Sequence, residues 1–81
     1  MKIALLGYGK MNQLIAKMAK QAGHEILLVI DENNRKELTA DQLSAADVAI
    51  DFTRPEAAVA NIRLAVEAKV PVVVGTTGWL G

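Results

Sequence analysis

Lys2-Ile3-Ala4-Leu5-Leu6-Gly7-Tyr8-Gly9-Lys10-Met11-Asn12 is the stretch that decides the fold. A short apolar run ends at a Gly-x-Gly turn, and a helical pattern starts at once. The run from Lys2 to Leu6 reads as a buried strand. Strand, glycine turn and helix in this order open a doubly wound, Rossmann-like α/β unit with a parallel sheet.

Working outward, Met11, Leu14, Ile15, Met18, Ala19 and Ala22 recur at steps of three, one, three, one and three. That is one face of an α-helix, and it places Met11 and Met18 in the core. Lys17, Lys20 and Gln21 take the other face, and Gly23 follows where a helix end favours a left-handed residue. Residues 25–30, Glu-Ile-Leu-Leu-Val-Ile, read as a second strand covered on both faces. It ends at Asp31, followed by a polar loop of Glu32, Asn33 and Asn34. This is one βαβ unit, whose right-handed crossover makes the two strands parallel and adjacent.

The next stretch is less regular. Thr39-Ala40-Asp41-Gln42 has capping-box spacing, which predicts one or two helical turns over residues 40–44. Residues 47–52, Asp-Val-Ala-Ile-Asp-Phe, form a third strand. A helix starts after it, with two possible caps: Thr53 with Glu56 as a capping box, or Pro55 at the first helical position. Val59, Ile62, Leu64, Ala65 and Val66 give it a broad apolar face. It ends near Lys69, because Pro71 disfavours helix at Val70. Residues 71–75 are the last strand, and Thr76-Thr77-Gly78 is a polar loop at its carboxyl end.

Composition narrows the function classes. The chain has 81 residues, nine basic and nine acidic, with no cysteine and 52% hydrophobic residues. Zero net charge and no basic patch argue against nucleic acid and against a membrane surface. The absence of cysteine removes disulfides and thiolate chemistry. Four apolar residues before Gly7 are too few for a signal-peptide core, and no run approaches a membrane span, so a cytoplasmic protein is the expectation. A domain this small buries only ~60% of its unfolded surface and is marginal alone.

The candidate site collects at one rim. Gly7 and Gly9 let backbone N–H groups approach a pyrophosphate at the positive end of the helix that begins at Lys10. The third glycine of that fingerprint is replaced by Asn12, which either pushes the helix start outward or turns its amide to the ligand. Tyr8, Lys10 and Met11 complete the turn, with Tyr8 lining the cleft and Met11 near the ligand. Asp31, 24 residues after Gly7, is placed to grip the ribose hydroxyls; otherwise it caps its own turn. An acid here favours NADH, because it repels a 2′-phosphate, and Glu32 adds to that. Arg35 and Lys36 offset it, which keeps NADPH open. Phe52 and Thr53 end a strand at the same rim, as do Gly75, Thr76 and Thr77. Phe52 is suited to pack on a ring and the threonines to bond the nicotinamide end; Thr53 could equally be a helix cap. His24 follows Gly23 at the opposite rim and reads as a surface turn residue.

Gly7-Tyr8-Gly9-Lys10-Met11, residues 47–53 with Pro55-Glu56, and residues 72–79 together resemble dihydrodipicolinate reductase, the 4-hydroxy-tetrahydrodipicolinate reductase of lysine and diaminopimelate synthesis. The resemblance covers essentially the whole chain. The Asp-Phe-Thr and Gly-Thr-Thr-Gly blocks carry more of it than the glycine turn does. It implies hydride transfer from NADH or NADPH to a cyclic imine-type dicarboxylate, in a family of homo-oligomers. It implies pyrophosphate binding by residues 7–12, ribose binding by Asp31, and a place for residues 75–77 beside the nicotinamide. It also implies strand order 2-1-3-4. The family's proton donor and substrate binders lie in a second domain, in a His-His and a Lys-x-Asp-x-Pro-Ser-Gly-Thr stretch, which these residues do not contain. Residues 1–81 are therefore expected to be the N-terminal part of a dinucleotide-binding domain, with no catalytic residue and no metal ligand of its own, inactive alone and meeting substrate only with the second domain.

Two other readings compete. A non-catalytic fragment or scaffold could pair through the edge of its last strand. A phospho-receiver switch could use Asp51, but would need an acidic pair after the first strand, where Leu6 and Gly7 stand.

Overall fold

The structure is a computed structural model that describes residues 1–7, 9–31 and 33–75. Its elements are β1 (Lys2–Leu6), α1 (Lys10–Gln21), β2 (Glu25–Ile30), a 3₁₀ turn (Arg35–Glu37), α2 (Ala40–Leu43), β3 (Val48–Asp51), α3 (Pro55–Ala68) and β4 (Val72–Val74). Four parallel strands form one sheet in the order β2-β1-β3-β4, which is the expected topology.

Alternation along β1 builds both layers. Ile3 and Leu5 face α1, packing with Ala16 and Ala19. Ala4 and Leu6 face the other way, into a cluster with Leu38, Leu43, Ala49, Ala65 and Val70. A central strand covered on both sides has no polar position to spare, which is why residues 3–6 are unbroken apolar sequence. β2 departs from this expectation. It is an edge strand, and only Ile30 is buried, the rest of its apolar residues being half-buried. A register shift opposite Ile3 and Ala4 turns both Leu27 and Leu28 toward the same cluster.

Helical periodicity locates α1 and α3 but only part of their inward faces: Ala19 and Ala65 are buried and Ile15 and Leu64 pack against the core, as expected. In α1 the buried residues are Asn12, Ala16 and Ala19. Met11 and Met18, expected in the core, are 51% and 59% exposed, and Leu14 is exposed beside them. In α3 the buried residues are Ala58, Asn61 and Ala65, while Val59 and Val66 are exposed. The reason is steric. Each helix presses its smallest side chains against the sheet so that its axis can approach, and the bulkier residues flank that contact. Each inward face also carries one asparagine.

The helix ends follow local chemistry. Thr39 and Gln42 form the full capping box that starts α2. α3 starts with Arg54 as N-cap and Pro55 in the first turn, with no side-chain cap, so Pro55 and not Thr53 sets the start. It ends on Lys69 at φ 60°, a left-handed cap.

Candidate nucleotide-binding site

Register brings the four strand ends level. Leu6 pairs with Ile30 on one side and Asp51 on the other, and Asp51 pairs with Val74. The main chain continues the alignment one residue further. Gly7 N donates to Ile30 O at 2.7 Å, Phe52 N to Leu6 O at 3.1 Å, and Gly75 N to Asp51 O at 2.8 Å. α1 leaves this rim toward one edge of the sheet and α3 toward the other, so a crevice opens between the ends of β1 and β3, where strand order reverses. It is an open cleft of about 770 Å³, lined by Gly7, Gly9, Asp31, Arg35, Phe52, Thr53 and the first turns of α3 down to Asn61.

The two glycines of the turn are glycine for different reasons. Gly7 has φ +86°, and a Cβ there would meet the Thr53 methyl at 2.8 Å. Its role is conformational and steric. Gly9 has φ −82°, which any residue adopts, and no described residue lies within 4 Å of where its Cβ would point. No contact among the described residues asks for glycine there. The open space adjoins the start of α1, which has no side-chain cap and no acid in its first turn. The N–H groups of Lys10, Met11 and Asn12 therefore have no intrahelical acceptor and no acid in their own turn to neutralise them. Bare backbone, open space and an uncapped helix end together fit a phosphate.

Asn12 neither pushes the helix outward nor turns its amide to the cleft. α1 begins at Lys10, directly after Gly9, and Asn12 is fully buried. A helical side chain leans back over the preceding turn, so Asn12 Nδ2 reaches the carbonyls of Leu6, at 3.1 Å, and Gly7. It ties the end of β1 to the start of α1. Among the described residues its Oδ1 has no hydrogen-bond partner.

Asp31 does what a loop carboxylate does and still faces the cleft. Its Oδ1 accepts from Asn33 N and Asn34 N, at 2.8 and 3.2 Å. Nothing among the described residues donates to Oδ2, and the residue is exposed on the cleft wall. Asn34 returns the tie, accepting from Asp31 N and donating to Val29 O.

At the end of β3, Asp51 is fully buried and does not line the cleft. Its Oδ1 accepts from Thr53 N at 2.8 Å and from the Thr53 hydroxyl, and its Oδ2 from Asn61 Nδ2 at 3.1 Å. A carboxylate held this way is a brace, not a phospho-acceptor. Thr53 is part of the same brace, its hydroxyl turned inward and its methyl against Gly7. Phe52 lies across Gly75, where a Cβ would collide with its ring.

Of the residues singled out in the sequence, Gly7, Gly9, Asp31, Phe52 and Thr53 line the cleft. Lys10, Met11 and Asn12 adjoin it through the first turn of α1, and Gly75 packs behind Phe52. Tyr8, Glu32, Thr76 and Thr77 lie outside the described residues. Arg35, read as a counter-charge to Asp31, and Glu56, read only as a cap partner, line it too, and so do Arg54 and Asn61, which were not singled out. Asn61 left a readable signal: it stands in register with Ala58 and Ala65, a polar residue on the inward face of an apolar helix.

The family comparison then decides what kind of protein this cleft belongs to. A family model described as "Dihydrodipicolinate reductase, N-terminus" matches residues 1–80. The chain belongs to this family. Curated relatives of the family include proteins named 4-hydroxy-tetrahydrodipicolinate reductase. The one from Christiangramia forsetii is 45% identical over 80 residues, covering 99% of this chain and 33% of that protein. Those from Staphylococcus carnosus and Staphylococcus aureus are 45% and 46% identical, covering 96% of this chain and 34% of each. The chain thus spans about a third of the length of the relatives it matches. No helix among the described residues is long and apolar enough to cross a membrane, and none of the described His, Asp and Glu residues cluster as a metal site.

Proposed function

We propose that residues 1–81 are the N-terminal part of the dinucleotide-binding domain of a 4-hydroxy-tetrahydrodipicolinate reductase, and that the cleft takes NADH or NADPH. The observation that carries this is Gly9, a glycine with no conformational reason and no packing reason among the described residues, beside an uncapped helix start at the topological switch point. The cleft's size suits a nucleotide, and its walls suit one chemically.

In this reading the pyrophosphate lies on the N–H groups of the α1 start. Asp31 Oδ2 accepts from a ribose hydroxyl. Phe52 and Thr53 form the wall toward the nicotinamide, with residues 75–77 beyond it, as in the family. The bound dinucleotide supplies a hydride, and this chain's residues bind and orient it. Asp31 alone would favour NADH. Arg35 on the same loop carries a charge suited to a 2′-phosphate, so the cleft accepts either cofactor. Substrate, a cyclic imine-type dicarboxylate, is held by a second domain, and the reaction belongs to lysine and diaminopimelate synthesis. A cytoplasmic homo-oligomer is the corresponding expectation for the whole protein.

Isothermal titration of the full-length protein with NADH and with NADPH tests the reading. Saturable one-to-one binding of at least one of them is the expected result. No heat of binding for either at millimolar concentration would overturn it.

A further inference from the structure

A buried polar chain crosses the floor of the cleft. Arg35 Nε donates to Asn61 Oδ1 at 2.6 Å, and Asn61 Nδ2 donates to Asp51 Oδ2 at 3.1 Å. Asn61 is 2% exposed and Asp51 is fully buried. The two ends have opposite needs. A guanidinium only donates and an ionised carboxylate only accepts, so the group between them must accept on one side and donate on the other. An amide does both, and its orientation is fixed, because a flip would set donor against donor and acceptor against acceptor. Aspartate at 61 would set two carboxylates together, and alanine would leave both ends unmet.

Among the described residues Arg35 is otherwise unheld. It opens a single 3₁₀ turn with no side-chain cap, and no described carboxylate pairs with it. One of its five donors is used by Asn61, and the guanidinium lines the cleft on the same loop as Asp31. A long flexible side chain tied at Nε presents its remaining N–H groups in one direction, with less entropy to lose when an anion arrives.

We propose that Asn61 is the positioning residue of this cleft: it holds Arg35 so that nucleotides are discriminated by the charge on the adenosine ribose. Asn61 acts through Arg35, and Asp51 fixes Asn61. The proposal rests on the nucleotide reading above.

The test uses the full-length protein and two probes, adenosine 2′,5′-bisphosphate and ADP, titrated against wild type, Asn61→Ala, Arg35→Ala, the double variant and Asn61→Asp, with thermal melts alongside. Wild type should prefer the 2′-phosphorylated probe. Asn61→Ala should cut that preference about tenfold, the scale of one charge-assisted contact, and should change nothing further in the Arg35→Ala background. Asn61→Asp keeps the acceptor for Arg35 and should keep the preference while melting lower. Asn61→Ala weakening both probes equally, or acting undiminished without Arg35, would overturn the proposal, as would loss of preference in Asn61→Asp. Failure of wild type to bind either probe would instead overturn the nucleotide reading.

Discussion

α1 and α3 start at the same rim, face the same cleft and are finished differently. α1 begins after a glycine, with no cap and no acid in its first turn. α3 begins with Pro55, which removes one N–H donor, and has Glu56 in its first turn to offset its positive end. Each buries one asparagine among alanines, but Asn12 bonds backward to β1 while Asn61 bonds across to two charged residues. Neither start has a side-chain cap, but α3 has given up one donor and carries an acid, while α1 keeps its donors with no acid in its first turn. Neighbouring helix starts in one cleft therefore need not be equivalent ligand sites; what finishes each end decides it.

The sharpest way to break this contrast is Gly7→Ala. The added methyl meets Thr53 at 2.8 Å in a left-handed backbone, so the loss should reach about 2 kcal/mol or more in a urea melt. A near-neutral result would mean that the turn does not hold α1 as described. Asn12→Ala comes next. Removing Nδ2 leaves the buried carbonyls of Leu6 and Gly7 short of a donor, at a cost of about 1–3 kcal/mol; the same melt reads it, and an unchanged midpoint would show that the amide does not tie α1 to β1. Glu56→Gln is the mildest. It takes a charge from the first turn of α3 and should cost about 0.3–1 kcal/mol while tightening nucleotide binding slightly. Weaker binding in that variant would place the anion away from the cleft wall that Glu56 lines.

Topology and most element positions were legible because they depend on patterns the chain states locally. The unbroken apolar β1, the Gly23 stop, the Thr39–Gln42 box and Pro55 each act within a few residues. The inward helix faces were legible only in part: Ile15, Ala19, Leu64 and Ala65 turn inward as expected, but Met11, Leu14 and Met18 match the helical period as well as Ala16 does. Only the sheet's demand for close approach selects the small residues. For the site, the glycine turn, Asp31 and Phe52-Thr53 could be read from their places at strand ends. Asn61 could not be read that way, because it lies two turns into α3 and matters through partners 26 residues earlier and ten residues earlier in sequence. Asn12 was visible as a departure from the glycine fingerprint. Its actual role needed the backward lean of a helical side chain onto β1.

In the proposed function Gly9 is glycine for the ligand, whereas Gly7 is glycine for the fold. Gly9→Val measures this most directly, by nucleotide titration and thermal melt on the same protein. The expected melt lies within about 1 kcal/mol of wild type, since a side chain at 9 meets no described residue, and NADPH and NADH affinity should fall by about tenfold or more. Unchanged affinity with an unchanged melt would contradict it.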